Sequence, residues 1–189
     1  NYSDFEHMQQ AFADFANKGV KLTSTVGTRH LTAVGAALTK TNSVTITYGA
    51  ATRLAVTTQP AGAVNDVAFT TQPVVTVQDI SGNTVANSNA SISASTANFG
   101  VTLGGTTTKT AVNGVATFTN LKLTGSVGAY SIDFASTGLT SATENISLGV
   151  GAPAKLTIIR AADGFRNRIA FTVQPQIAIQ DASGNNVNA

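Results

Sequence analysis

The sequence carries AFTTQPVVTVQDISGNTV at residues 68–85 and a near copy, AFTVQPQIAIQDASGNNV, at residues 170–187. The similarity extends outward without a gap, so that residues 49–87 align with residues 151–189 at an offset of 102, with 16 identities in 39 pairs. A gapless match of this kind indicates a duplicated structural unit.

A weaker similarity lies upstream of the first copy. Residues 21–27 read KLTSTVG and residues 122–128 read KLTGSVG, at an offset of 101. These matches predict four segments in chain order. They are an amphipathic helix at 1–19, the last strands of a partial repeat at 20–48, a complete repeat at 49–150, and the first strands of a following partial repeat at 151–189.

The complete repeat has the pattern of a β-sandwich. Val75 and Val77 alternate with polar residues, as in a half-buried strand, and a run from Phe99 to Leu103 alternates in the same way. Gln72-Pro73 interrupts an apolar run, which indicates an edge or a switch between sheets. Asn113-Gly114 suits a tight hairpin turn. Short strands with a turn signal every 8–12 residues or so predict an all-β, immunoglobulin-like β-sandwich.

Several of these motifs resemble a known family. The segments are Leu54-x-Val56-x-x-Gln59-Pro60, Val75-x-Val77-x-Asp79-x-x-Gly82-Asn83-x-Val85, Asn113-Gly114-Val115-Ala116-x-Phe118-x-x-Leu121 and Gly128-x-Tyr130. Together they resemble the bacterial immunoglobulin-like (invasin-like) tandem repeats of large surface adhesins. The resemblance implies a tandem array of sandwiches at the cell surface, in which most repeats are spacers. It assigns no ligand.

The first residues depart from that family. Tyr2, Phe5, Met8, Phe12 and Phe15 are spaced as one stripe of a helix. A helix of this length is marginal alone in water, so we expect its stripe to pack on something. It either covers a sheet or domain junction of its own chain, or docks on a neighbouring subunit.

Composition narrows the classes of partner. Charged residues make up 11% of the chain, the formal net charge is +2 and there is no cysteine. The weak net charge argues against nucleic acid as a partner. No apolar run approaches the ~20 residues of a membrane helix, so we expect no membrane insertion in this segment. The absence of cysteine excludes disulfides and thiolate chemistry.

Residues able to do chemistry are sparse. His7 and His30 are the only histidines, too few for a zinc site or a catalytic triad. The segment Asp79-x-Ser81-Gly82-Asn83 offers oxygen ligands for calcium but only one carboxylate, so we interpret it as a turn. The sequence therefore predicts no enzyme, and no catalytic, cofactor-binding or metal site. A ligand-binding site stays unknown.

The sequence favours a structural or spacer module of an extracellular bacterial adhesin or surface fibre. Its expected partners are neighbouring repeats or copies of itself, and an unknown surface ligand. Because 20–48 supply last strands and 151–189 first strands, copies could join head-to-tail by strand complementation into a homopolymer. Alternatively, both ends are cut from a longer chain. Two other functions stay open: an immunoglobulin-like component of a phage tail or capsid, and a non-catalytic module of a secreted polysaccharide-degrading enzyme.

Overall fold

Strands form where Val, Ile and Thr alternate with small polar residues, because these side chains fit a pleated surface. The computed structural model describes residues 25–35 and 38–187. All the regular secondary structure in those ranges is β-strand, which confirms the all-β fold class. The helix predicted at residues 1–19 lies outside the described residues. The strands are β1 (Gly27–Gly35), β2 (Leu38–Ile46), β3 (Arg53–Thr58), β4 (Val74–Gln78), β5 (Ser91–Ser95), β6 (Val101–Gly104), β7 (Thr108–Thr110), β8 (Val115–Thr117), β9 (Lys122–Gly125), β10 (Gly128–Ala135), β11 (Ala142–Leu148), β12 (Lys155–Arg160) and β13 (Gln176–Gln180).

The chain divides into two compact units. The first comprises the described residues of Asn1–Tyr48 together with Ser81–Asn83. Its strands β1 and β2 form an antiparallel hairpin in which Gly27 lies opposite Ile46.

The second unit comprises Gly49–Ile80 and the described residues of Thr84–Ala189. One sheet has four strands in the order β11-β10-β5-β7, and another has three in the order β3-β4-β8. The pairs β6-β9 and β12-β13 complete the described pairing, and all these strand pairs are antiparallel. The sequential strands and short turns are those of the predicted sandwich.

The core of the second unit lies between its sheets. Phe118, just after β8, packs against Phe134 of β10 with ring centroids 5.3 Å apart, which joins the three-stranded sheet to the four-stranded one. Burying a side chain of this size contributes about 1.5–3 kcal/mol. The most deeply buried apolar side chains are Val75, Val77, Ile92, Ala116, Phe118, Leu121, Leu123, Ile132 and Phe134.

A corner at Gln72-Pro73 moves the chain from one sheet to another. Before it, Phe69 N donates to Leu121 O (2.9 Å), so this segment runs beside β9. At the corner, Gln72 Oε1 accepts a hydrogen bond from Leu121 N (2.9 Å), while its Nε2 donates to Leu121 O (3.1 Å). The side chain of Gln72 thus takes the place of a paired strand residue. After buried Pro73, Val74 begins β4, which confirms the predicted switch between sheets.

The turns show one confirmed prediction and one error. Asn113 and Gly114 have φ of 52° and 75° between the bridged residues Val112 and Val115, as a two-residue hairpin turn requires. The alternation predicted from Phe99 onward starts too early, because β6 begins at Val101. Phe99 lies in the preceding turn and is fully exposed. Alternation alone cannot locate the end of a strand.

Residues 151–187, the C-terminal region, repeat the backbone geometry of residues 49–87, which lie in the central region, residues 49–150. Both strand pairs have a register shift at the same place, between Val56 and Thr58 and between Ile158 and Arg160. Positive φ recurs at the aligned loop positions, with 62° at residue 66 and 61° at residue 168. The side chains differ in burial, however, since several apolar residues of the C-terminal region are exposed. The predicted repeat boundaries stay predictions.

Candidate functional site: the polar junction around Asp181

Buried polar side chains concentrate in one recurring motif. Among the residues that the structure describes, the buried polar ones are Asn65, Thr76, Asp79, Asn83 and Asp181. All but Thr76 belong to the Asp-x-Ser-Gly-Asn turns or contact one of them. Burial of a polar group is costly unless hydrogen bonds replace its water. The turns are therefore the place to look for a built site.

The turn at residues 79–83 begins with a carboxylate that binds a backbone N–H distant in sequence. Gly49 N donates to Asp79 Oδ2 at 2.8 Å, and Gly82 has a φ of 87°, a left-handed value that glycine adopts without strain. The same features recur in the next copy, where Gly151 N donates to Asp181 Oδ2 (2.9 Å) and Gly184 has a φ of 92°. The turn predicted at residues 79–83 is confirmed, and it recurs at residues 181–185.

The carboxylate of Asp181 is surrounded by N–H donors. Oδ2 accepts hydrogen bonds from Gly151 N (2.9 Å), Asn65 Nδ2 (2.8 Å) and Asn185 Nδ2 (2.9 Å). Oδ1 accepts from Asn185 N (2.9 Å) and from Asn185 Nδ2 (3.1 Å). The residue is only 1% exposed. The donors supply positive dipole ends to a buried anion, which replaces the solvation it has lost.

Asn185 and Asn65 extend the cluster to the backbone at the end of β9 and in the loop that follows it. Asn185 Nδ2 donates to Gly125 O (2.9 Å), and its Oδ1 accepts a hydrogen bond from Val127 N (3.0 Å). Asn65 Oδ1 accepts from Gly125 N (2.9 Å) while its Nδ2 binds Asp181. Each amide side chain therefore donates at one end and accepts at the other. We name Asn65, Gly125, Val127, Gly151, Asp181 and Asn185 the polar junction.

Glycine at position 151 is required by close packing. A Cβ there would lie 2.9 Å from Asn65 O and 3.4 Å from Asp181 Cβ. The chain passes between the two side chains that hold the junction together, and any larger residue would separate them. The same restriction does not apply to the aligned Gly49, where an added Cβ would lie 3.6 Å from the nearest atom, Asp79 Oδ2.

The electrostatics of the junction favour the ionised carboxylate. Burial by itself raises the pKa of Asp181. The hydrogen bonds from Asn185, Gly151 and Asn65 together lower the pKa by more than burial raises it, so that it lies well below the ordinary value of 3.8. A carboxylate with so low a pKa is a poor proton acceptor. Its oxygens face N–H groups, which oppose the approach of a cation. The arrangement is suited to holding chain segments together.

The first unit contains one matching contact. Within it, Val26 N donates to Asn83 Oδ1 at 3.1 Å. In the second unit, Val127 N makes the same bond to Asn185 Oδ1 at 3.0 Å. Asn83 and Asn185 are aligned residues, and so are Val26 and Val127 in the weaker upstream match.

Of the two histidines that the sequence singled out, one lies among the residues that the structure describes. His30 lies on β1, where its Nδ1 is 3.1 Å from Ser43 Oγ, and His7 is outside the described residues. Across residues 25–35 and 38–187, no group of three His, Asp or Glu side chains could hold a metal ion. In the same part of the chain, no helix has the length and apolar character of a membrane span.

Sequence reasoning missed the role of Asn65. It interpreted the Asp79 segment as a local turn and noted the Asp181 segment only as its aligned copy, and Asn65 lies 116 residues from Asp181. A signal was present, because Asn65 is identical to Asn167 in the aligned copy although both neighbours differ. A polar residue retained in both copies at an otherwise variable loop marks a position with a specific hydrogen-bonding task.

No family model and no curated protein matches the chain. Among solved structures, the chain is similar to a glycosyl hydrolase family 2 member from Bacteroides cellulosilyticus, with a TM-score of 0.45 and 13% identity over 65% of this chain and 17% of that one. It is also similar to a β-glycosidase from Bacteroides vulgatus, with a TM-score of 0.43 and 11% identity over 65% and 17%. A third is domains 4–9 of the surface layer protein SbsC, with a TM-score of 0.37 and 17% identity over 86% and 25%.

The chain spans a quarter or less of the length of each of these structures. Similarity at these TM-scores carries no argument about function. The resemblance to adhesin repeats therefore stays a prediction, and a functional assignment has to come from the residues of the chain itself.

Proposed function

We propose that the chain is a structural spacer, part of a tandem array of immunoglobulin-like sandwiches in an extracellular bacterial adhesin or surface fibre. One observation carries the proposal: the strand pairing and register shift of β3–β4 recur in β12–β13, 102 residues further along. Sandwiches joined end to end lengthen a rod, which is a function that needs packing and no reactive group.

The chemistry of the chain supports a mechanical role. The buried carboxylate of Asp181 is engaged by N–H donors, and every buried side-chain N or O atom among the described residues has a hydrogen-bond partner. Catalytic sites usually hold groups that await a substrate. A low charge and a surface rich in Thr, Ser and Asn support an extracellular location.

The C-terminal region presents an apolar face. Its residues Ile177 and Ile179 are exposed, whereas the aligned Val75 and Val77 are buried beneath the rest of the central region. Gln174 Nε2 donates to Phe171 O (3.0 Å), just as Gln72 Nε2 donates to Phe69 O. Gln72 makes its further hydrogen bonds with the backbone of Leu121.

We propose that this face is covered by strands with the chemistry of β8–β11, since these bury it in the central region. A second copy of this chain is a weaker candidate for the occupant. At the upstream offset of 101, the predicted partial repeat at 20–48 corresponds to residues 121–149, so it has no counterpart of β8 or of Phe118. Head-to-tail pairing would therefore leave the cavity of a missing core aromatic, at a cost of about 3–5 kcal/mol.

Extension of the chain tests the proposal directly. Ala189 aligns with Asn87, so a second copy of residues 88–150 appended after Ala189 completes the second sandwich. We expect hydrogen exchange of the β13 amides to slow by at least roughly 100-fold, because these strands join a cooperative core. The matched control carries Asp in place of the appended counterparts of Phe118 and Leu123. The proposal is contradicted if the control slows exchange of the β13 amides as much as the extension does, or if neither chain slows it.

The size of the 189-residue chain separates the two sources of covering strands. We expect a monomer by analytical ultracentrifugation at every concentration below precipitation. Growth into longer species with rising concentration, abolished by Ile177→Asp, would instead support head-to-tail assembly of copies.

A further inference from the structure

The polar junction connects two parts of the chain that are distant in sequence. The turn carrying Asp181 and Asn185 belongs to the C-terminal region, and its hydrogen bonds reach Asn65, Gly125 and Val127 of the central region. The residues that these contacts join do not belong to one pair of hydrogen-bonded strands. They lie within one compact unit of the structure.

We propose that the polar junction is a lock between consecutive repeats, in which the Asp-x-x-x-Asn turn of one repeat inserts into a socket on the preceding repeat. The socket consists of Asn65, Gly125 N and O, and Val127 N. The lock fixes the angle between sandwiches, so that the array is a stiff rod. This inference depends on the proposed repeat arrangement but not on its extracellular location.

The socket recognises one carboxylate and one amide with a fixed separation. It presents an amide donor to Asp181, and an N–H and a C=O to Asn185. An Asn at position 181 would direct an NH₂ group at one of the donors that now bind a carboxylate oxygen. An Asp at 185 would direct an anion at Gly125 O. The chemistry thus selects the turn in one order only.

Burial makes the lock cooperative. Asp181 is almost completely enclosed, and the three side chains of the junction share their donors and acceptors. Loss of one donor leaves a buried charge incompletely solvated, which costs more than the hydrogen bond itself contributes. Removal of any one side chain should therefore open the junction as a whole.

The parts of the lock recur along the chain. Asp79 accepts from Gly49 N as Asp181 does from Gly151 N, and Asn83 accepts from Val26 N as Asn185 does from Val127 N. The socket residue Asn65 recurs as exposed Asn167. The central repeat thus carries both an inserting turn and a complete socket, and we expect one lock at every joint of the array.

Hydrogen exchange on the full chain measures the lock. The reporters are the amides of Gly125, Val127 and Gly151, whose acceptors are the junction side chains. We expect Asp181→Asn and Asn65→Ala each to speed their exchange roughly 10- to 100-fold. The control is Asn167→Ala, which changes the same residue one copy further along and should leave the reporters unaltered.

Core amides distinguish an opened joint from an unfolded sandwich. Val77 N and Phe118 N bond within the central region, to Gly114 O and Pro73 O, and should keep their protection in both variants. If Asn65→Ala also speeds the exchange of these core amides, it has destabilised the central sandwich itself. Asp181→Asn is then the variant that tests the lock, because Asp181 lies outside the central region. Unchanged reporters in Asp181→Asn overturn the inference.

Stiffness has its own measurement. The chain has no cysteine, so Ser95→Cys with Gln176→Cys places spin labels at two exposed strand positions, one in each region. Pulsed electron resonance should give a narrow distance distribution, which broadens when Asp181→Asn is added. A distribution equally narrow in that variant would show that the junction does not set the angle. It would leave the extension experiment on the apolar face unaffected, so the two proposals can fail separately.

Discussion

The central and C-terminal regions have closely matching strands, corner and turns, yet they differ sharply in burial. Leu54 is 4% exposed and the aligned Leu156 is 71% exposed. Both regions have the register shift in the first strand pair and the positive φ before the corner. Strand geometry is thus set by nearby residues, whereas burial depends on β8–β11, which cover only the central region. Substitutions at aligned positions of the two regions test this separation.

The largest difference is expected for the two aligned leucines. Leu54→Ala removes buried methyl groups and leaves a cavity, so we expect the free energy of unfolding to fall by about 2–5 kcal/mol. Leu156→Ala removes exposed atoms and should change it by less than about 0.5 kcal/mol. Urea unfolding followed by circular dichroism measures both. Comparable losses would mean that the C-terminal face is covered in solution.

The two corner glutamines should differ by less. Gln72→Ala deprives the buried Leu121 N–H of its acceptor, and an unsatisfied buried donor costs about 1–3 kcal/mol. Gln174→Ala loses a hydrogen bond at an exposed site and should cost about 0.5 kcal/mol or less. The same urea titration applies. A larger loss of unfolding free energy in Gln174→Ala than in Gln72→Ala would contradict this account, in which the corner is stabilised by the hydrogen bonds between Gln72 and Leu121.

The smallest effect is a local response to acid. The pKa of Asp181 is depressed in the folded protein, so its contribution is complete above the ordinary value of 3.8 and is lost as pH falls toward the folded value. We expect the Gly151 amide to keep its protection at about pH 5 and to lose it progressively below about pH 4, with the core amides unaffected over that interval.

Two variants check this response. Asp181→Asn should remove the pH dependence of the Gly151 amide, because no carboxylate remains to titrate. Asp66→Asn is the control: the hydrogen bond from Lys122 lowers the pKa of Asp66 too, but this pair is exposed, and the side chain of Asp66 accepts its hydrogen bonds from Lys122 and Thr124, outside the junction. A pH dependence that disappears with Asp66 rather than Asp181 would contradict the assignment.

Sequence patterns predicted the local features well. Asn113-Gly114 forms the expected hairpin turn because its two residues tolerate positive φ. The Asp-x-Ser-Gly-Asn segments are turns for the same kind of reason, since their Gly has a positive φ in both copies and Asp181 accepts the backbone N–H of Asn185, four residues further on. The error at Phe99 arose because an alternating pattern continues into a turn that exposes the aromatic ring.

The polar junction could not be predicted from these patterns. Asn65 and Asp181 lie in separate loops and Gly125 is the last residue of β9, and only the pairing of β9 and the path of the chain from β11 to β12 bring them together. An Asp in a turn motif is the same in sequence whether its carboxylate oxygens face water or a neighbouring loop. The recurrence of Asn65 as Asn167 was the single available hint.

The amino-acid sequence alone determined the strands, their turns and the 102-residue spacing, because each depends on the conformational preferences of a few adjacent residues. It could not determine which copy of the apolar pattern is buried, nor that Asp181 holds two regions together. Those properties depend on contacts between residues up to 116 positions apart, and only the tertiary structure brings them within hydrogen-bonding distance.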